Sequence, residues 1–403
     1  MRKYLVLVSL TALAACGGGG PQTVGSSAPP PGAGGAGSGS GSTTTHSFVT
    51  PTEAKTYSAI GGVHSYQYST DDRVPQGRQY NQLYAGNAST ARNSSITITY
   101  DPRDAIFDLK ITDTAAGVNN TLRFQDPAHR TDFGGAREPQ DGTPDIANKQ
   151  IQFLQAGGSA GPIVFDPAQS DTFPVGDAGA SRDVSTFFYQ KPGTTTNYVG
   201  YAGFVRNKTS VVGIDDGNGG TYLRQDNILE RAAFAYGERT SNSAVPRTGT
   251  ATYTGEMLAT MVFNDKIDMQ SNAPTYFQWI DGSAVTTVDF GANTFTSSVT
   301  GTVFAPTFDA YTTRDYTIQP GSIFNAAGSG QIDLVNAGGF VGQMNSASFT
   351  QGGTTTNVTI AGSSVDGAFY GPAGQEVGGG FRIVGGNPDE RIDILGAFTG
   401  KKP

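Results

Sequence analysis

The chain has 403 residues, with 26 Lys and Arg against 34 Asp and Glu, for a formal charge of −8. An acidic balance of this size excludes binding driven by nucleic-acid phosphate, which depends on neutralising charge, and argues against a basic patch for anionic lipid. Fifty-six glycines and one cysteine exclude a disulfide framework and favour strands joined by tight turns over helices.

At the start, Arg2 and Lys3 precede an apolar run from Tyr4 to Leu13, and Leu13-Ala14-Ala15-Cys16 follows. A permanent membrane helix needs about 20 apolar residues; this run has the length of a signal-peptide core. Its ending resembles the bacterial lipobox, in which the cysteine is lipidated, typically with palmitate, and becomes the new N-terminus. An ordinary secretory signal with a chance cysteine is the alternative. The resemblance makes residues 1–15 a signal peptide and Cys16, the only cysteine, the lipid attachment point. Gly17 stands where an aspartate often retains such proteins at the inner membrane, so the expected address is the outer membrane. Cleavage removes Arg2 and Lys3 and leaves 24 basic residues against 34 acidic ones. Acyl chains, at about 0.8 kcal/mol per buried CH₂, must then do the anchoring.

Residues 16–45 form a tether dominated by Gly, Ser, Pro, Thr and Ala, with no charged residue. Such a segment cannot bury enough apolar surface to offset its ordering entropy; as a flexible coil it would span roughly 30 Å. The remaining length suggests two domains. In residues 46–245, apolar residues fall at every second place in 95–100, 106–111 and 121–124, the pattern of half-buried strands. Residues 228–237 read as strand or short helix, with strand favoured because Phe234-Ala235-Tyr236 leads into a turn-rich segment. Asp215-Asp216-Gly217-Asn218-Gly219-Gly220 faintly resembles a calcium loop but lacks the distal glutamate, which leaves it a turn. Ser241 to Thr248, polar and containing Pro246, is the internal boundary.

From 246 to 403 strands are expected at 250–263, 285–291, 293–304, 321–325, 329–335, 340–350, 355–370, 375–384 and 391–399. That many antiparallel strands protect their edges by closing, which predicts an eight-stranded barrel. Gly328, Gly330, Gly338, Gly339, Gly378, Gly379 and Gly380 would permit the coiling that closure demands. A transmembrane barrel is disfavoured because alternate positions are mostly Thr, Ser, Asn, Gln and Asp, not an apolar lipid-facing band. The fold class is therefore all-β, a strand-rich N-terminal domain followed by an antiparallel barrel. The last strand, 392–398, is expected to pair with 253–257.

Residues 366–381 read Asp-Gly-Ala-Phe-Tyr-Gly-Pro-Ala-Gly-Gln-Glu-Val-Gly-Gly-Gly-Phe, and residues 248–255 read Thr-Gly-Thr-Ala-Thr-Tyr-Thr-Gly. Together with the closing Gly396-Ala397-Phe398-Thr399-Gly400, they resemble the C-terminal barrel of the transferrin-binding protein B family, whose relatives include factor H-binding protein and haemophilin-type haem carriers. The resemblance covers about 248–403. Upstream, 46–245 is similar to the family's handle domain in position and strand content. What this implies is a monomeric, surface-exposed outer-membrane lipoprotein that binds a nutrient-source or host protein or a solute, exported with the help of a dedicated outer-membrane translocon. Glycines and aromatics at a barrel seam need no ligand, so the motif around Glu376 reads as architecture.

A search for chemistry finds no nucleophile elbow, phosphate loop or paired-histidine metal spacing, so catalysis, resident cofactors and metals are not expected. His46 lies at the end of the tether. Asn264 to Gly282 is read as a long loop carrying Met269, Tyr276, Phe277 and Trp279, and 304–316 as a second carrying Phe308, Tyr311 and Tyr316. Long loops on rigid barrels are where binding residues concentrate, and Tyr and Trp are frequent interface anchors. The same aromatics could instead cap the barrel or pack on the handle. Two other functions stay open. Haem could be ligated through His64 and His129, or the protein could be a structural or adhesive surface coat with no soluble ligand.

Overall fold

In the computed structural model, residues 47–73, 80–85, 88–90, 92, 95–128, 133–140, 142–146, 149–161, 177–264, 275–305, 318–386 and 391–403 are described. Among them all nineteen regular elements are strands. The first ten make two sheets. One has the order β1-β4-β5-β6, from β1 (Lys55–Ser58), β4 (Ile96–Asp101), β5 (Ile106–Asp113) and β6 (Val118–Gln125). The other has the order β3-β2-β10-β9-β8-β7, from β2 (Ile60–Asp71), β3 (Tyr80–Ala85), β7 (Ile151–Ala160), β8 (Ser181–Gln190), β9 (Val199–Asp215) and β10 (Thr221–Gly237). Residues 228–237 are thus strand.

Period-two alternation explains the pairing of these sheets. Ile96, Ile98, Tyr100, Phe107, Leu109 and Ile111 point inward from the smaller sheet and meet Val63, Phe187, Tyr189, Phe204, Ala232 and Phe234 from the larger one. The β9–β10 hairpin turns at Asp215–Gly220. There the Asp216 carboxylate accepts the backbone N–H groups of Asn218 (2.8 Å) and Gly220 (2.9 Å). Aspartate suits this place because its short side chain closes the turn locally.

The second half closes into a barrel of eight antiparallel strands: β11 (Thr250–Asn264), β12 (Thr275–Asp289), β13 (Thr294–Val303), β14 (Ile323–Asp333), β15 (Gly339–Gln351), β17 (Thr359–Tyr370), β18 (Glu376–Gly386) and β19 (Arg391–Lys401). The short β16 (Thr354–Asn357) adds a hairpin to β15. Closure joins the first strand to the last, as expected, but from Thr254↔Lys401 through Met257↔Phe398 to Asn264↔Arg391, so that 392–398 faces 257–263 and not the expected 253–257. Inside lie Met257, Met261, Phe295, Phe324, Phe340, Phe381, Ile394 and Phe398.

Three boundaries differ from the sequence reading, the first being the expected strand 355–370, which divides around Val358 into β16 and β17. Residues 321–325 and 329–335 belong to one strand, β14, whose register against β15 shifts between Ala327 and Gly328. Residues 275–282, read as part of a loop, extend β12 and pair with β11. The two barrel ends also differ. At one, Val245, Phe290 and Leu334 join the core and the Tyr253 hydroxyl donates to the Gly374 carbonyl at 2.8 Å. The other end is the mouth, where β13 stops at Val303 and β15 at Gln351.

Candidate functional site

The larger handle sheet buries one face on the smaller sheet and the other on the barrel's outer wall. Phe153, Phe188, Tyr201, Val205 and Ala233 of the handle pack with Leu258, Trp279, Leu395 and Ala397 of the barrel. Ile60, Val199 and Ala235 meet Ala368 and Tyr370. Close approach here explains two glycines of the C-terminal motif. A Cβ on Gly380 would sit 2.7 Å from the Gly61 Cα, and one on Gly378 would sit 2.6 Å from a Val199 methyl. These positions admit the handle; closing the barrel is not their whole purpose.

Polar groups stitch the same seam. Glu376, the first residue of β18, accepts the backbone N–H groups of Asn197 (2.7 Å), Tyr198 (2.7 Å) and Val199 (3.2 Å). Burial raises its pKa while those three amides pull it back. Arg92 is fully buried. It donates Nε to Asp366 at 2.8 Å, Nη1 to the Ala337 carbonyl at 2.7 Å, and Nη2 to the carbonyls of Phe340 (3.1 Å) and Gly367 (3.0 Å). Thr90 donates to the other Asp366 oxygen. At the rim Lys149 pairs with Asp281 at 2.8 Å, and Gln190 donates to Glu256 at 2.7 Å.

The centre of the seam holds the densest set of titratable groups. His64 on β2, with no exposed surface, faces the barrel; its ring lies 5.6 Å from Tyr84 and 6.3 Å from Phe277 between centroids. Neither ring nitrogen has a hydrogen-bond partner among the described residues. Burial first, and the Arg382 guanidinium second, hold its pKa well below the usual histidine range. Arg382 on β18 is itself completely buried, which lowers its pKa, with Tyr84 and Asp393 nearby opposing that shift. Burial pushes the Asp393 carboxyl up to about 6 against the pull of Tyr84, Arg391 and Arg382. The neutral imidazole is the form that this environment favours, because a second cation beside Arg382 has no water to screen it.

Two residues read separately in the sequence therefore meet: His64 from the handle and Phe277 from the barrel. Their setting is not the expected one. Phe277 and Trp279 are strand residues of β12, 2% and 1% exposed, and not tips of a free loop. Trp279 packs edge-on against Phe188 (5.3 Å) and donates its indole N–H to the Gly142 carbonyl at 2.8 Å. Burying an aromatic such as Phe277 is worth about 1.5–3 kcal/mol, so both rings serve handle–barrel docking and present no surface to a ligand. His64, a candidate haem ligand in the sequence reading, is sealed. The Tyr276 side chain, together with Cys16, His46, His129, Met269, Phe308, Tyr311 and Tyr316, lies outside the described residues. The sequence reading missed Arg382, Asp393, Arg92 and Tyr84; a charged residue inside an otherwise apolar strand run, as in Phe381-Arg382-Ile383, was the available signal. Among the described residues no group of three or more His, Cys, Asp or Glu could hold a metal ion.

Fold and seam together define a class, a β-barrel protein whose outer wall is covered by a two-sheet handle. Residues 245–402 match the family described as the C-lobe and N-lobe beta barrels of Tf-binding protein B, so the C-terminal domain is similar to those barrels. Among solved structures, intact Ap-TbpB aligns over 87% of this chain and 78% of its own, at 12% identity and a TM-score of 0.29. A transferrin binding protein B double mutant from Haemophilus parasuis covers 86% and 76%, at 11% identity and a TM-score of 0.27. The isotype 1 protein from Neisseria meningitidis covers 88% and 77%, at 12% and 0.21. At these scores the superpositions carry no argument, and the assignment rests on the sequence match. No curated protein matches the chain significantly.

Proposed function

We propose that this protein is a non-catalytic lipoprotein, anchored in the outer membrane through Cys16 and displayed at the cell surface, that binds a host or nutrient-source protein. The match of residues 245–402 to the barrels of Tf-binding protein B supports the reading. It accords with a seam in which Glu376, Arg92 and Asp366 hold handle to barrel. Transferrin, named by that family, is the first partner to test. Titrating transferrin onto the immobilised protein should give saturable binding. If no serum protein binds, while haemin produces a saturating absorbance band that replacement of His64 and His129 abolishes, the protein-binding reading falls. Haem contact with His64 would require the seam to open. Cys16→Ser should leave the protein soluble or unprocessed; continued membrane association would defeat the anchor.

A further inference from the structure

The barrel mouth carries a cavity that the seam does not use. Ile318, Ser322, Phe349, Gln351, Thr354 and Thr356 line it, and its volume is about 320 Å³. That lies at the lower end of the roughly 300–1,000 Å³ of small-molecule sites, which favour barrel mouths among other places. The register explains the lining. Phe349 pairs with Thr356 and Gln351 with Thr354 across the β15–β16 hairpin, while Phe324, opposite Phe349 on β14, belongs to the barrel core. Alternate residues of the three strands therefore face into the mouth, apolar ones below and hydroxyl or amide ones above.

Three features define what fits. Among the described residues none that lines it is charged, so these side chains offer a neutral ligand contacts and an ion no counter-charge. The floor, Ile318 and Phe349, belongs to the barrel core and is apolar. The Ser322 hydroxyl, on a residue 1% exposed, has no hydrogen-bond partner among the described residues, and a buried polar group in that state gains most from a ligand that supplies one. The space, equal to about ten waters at roughly 30 Å³ each, admits one pyranose ring with part of a second.

We propose that the barrel mouth is a binding site for a neutral sugar, a pyranose unit laying its C–H face on Phe349 and Ile318 and its hydroxyls against Ser322, Gln351, Thr354 and Thr356. The outer wall beside it is compatible with a longer glycan. At the mouth end of β13 the outward Thr300 and Thr302 are hydroxyl-bearing and exposed. The proposal does not rest on the protein-binding reading and survives if that reading fails.

Saturation-transfer NMR on the full-length protein in a detergent without a sugar headgroup tests it. The probes are maltose, cellobiose and N,N′-diacetylchitobiose, with glucuronate as a charged control. At least one neutral disaccharide should bind saturably with a Kd of roughly 1 mM, as expected for a small polar ligand. Gln351→Ala and Thr356→Val, both outside the barrel core, should each weaken it about fivefold with an unchanged melting temperature. Absence of saturable signal for all three sugars at tens of millimolar, equal binding of glucuronate, or full binding by the Gln351→Ala/Thr356→Val double variant would each overturn the proposal.

Discussion

The barrel has two outer walls built from one kind of strand, and they follow different rules. On β13, outward residues are exposed hydroxyls and inward ones are buried, in strict alternation. On β18 every position from Glu376 to Arg382 is buried, because the handle covers the side that would otherwise be wet. An exposed wall satisfies its polar groups with water and with neighbours, as Thr300 does with Asn325 at 3.0 Å. A covered wall has no water to fall back on, so each polar group there needs a protein partner or stays unpaired at a cost. Glu376, Arg92 and Asp366 have partners; His64 lacks one. Substitutions should separate the walls by size of effect.

The largest effects belong to the paired charges of the covered wall. Asp366→Ala strands the Arg92 guanidinium without its counter-charge, and breaking a buried pair in this way costs about 3–5 kcal/mol. Glu376→Ala leaves three handle amides without an acceptor, each worth about 1–3 kcal/mol when buried, so a similar loss is expected. Urea unfolding measures both. Because Trp279, the only tryptophan, sits in the seam, its emission should shift to the red in either variant before the barrel unfolds. A loss below about 1 kcal/mol in both variants would mean that the polar stitches are incidental and that apolar packing alone holds the seam.

An intermediate effect, dependent on pH, is expected at His64. Its folded pKa lies below the unfolded value of about 6.5, so the unfolded chain takes up the proton first and stability is lost as pH falls below about 6.5. Asp393 acts in the opposite sense. Its folded pKa, raised to about 6, exceeds the unfolded carboxylate value, so stability is gained as pH falls from about 6 towards 4. The two contributions offset each other over that window. His64→Leu, which removes an unpartnered polar ring, should lie within about 1 kcal/mol of the parent at pH 7.5. Its melting temperature relative to the parent should then climb as pH is lowered to 5. A difference that stays flat across this range would show that His64 does not gain a proton on unfolding.

How much of this could be read in advance follows the same division. The exposed wall was legible: Thr294 to Val303 alternates cleanly, and the reading placed that strand within one residue at each end. The N-terminal half of β12 was not. In Thr275-Tyr276-Phe277-Gln278-Trp279-Ile280, Ile280 enters the barrel while Phe277 and Trp279 enter the seam, so no polar face remains to reveal period two. β2 hides itself in the same way, with eleven of its twelve residues buried. Aromatics in such a run resemble a binding loop when the cover is unknown. Glu376 was legible as architecture because it lies among turn glycines, but its three amide partners are some 180 residues distant. The seam's charges, Arg382 and Asp393, were illegible for the same reason. Their meaning depends on His64 and Tyr84, which only the fold brings to them.

The smallest effect is expected on the exposed wall, and it is the sharper test because it must be near zero. Thr300→Val keeps the β-branched shape that a strand favours and deletes one cross-strand hydrogen bond that water can replace on the Asn325 side. Surface substitutions of this kind fall within about 0.5 kcal/mol, and the urea midpoint should barely move. Thr260→Val supplies the matched comparison on the covered wall. Thr260 is completely buried on β11 and its hydroxyl has no partner among the described residues, so exchanging it for a methyl removes a desolvated polar group and should stabilise the protein. Opposite responses to one chemical change, neutral outside and stabilising under the handle, follow only if the cover excludes solvent from the wall. If both threonines tolerate the exchange equally, the handle is not seated as tightly as its buried arginines require.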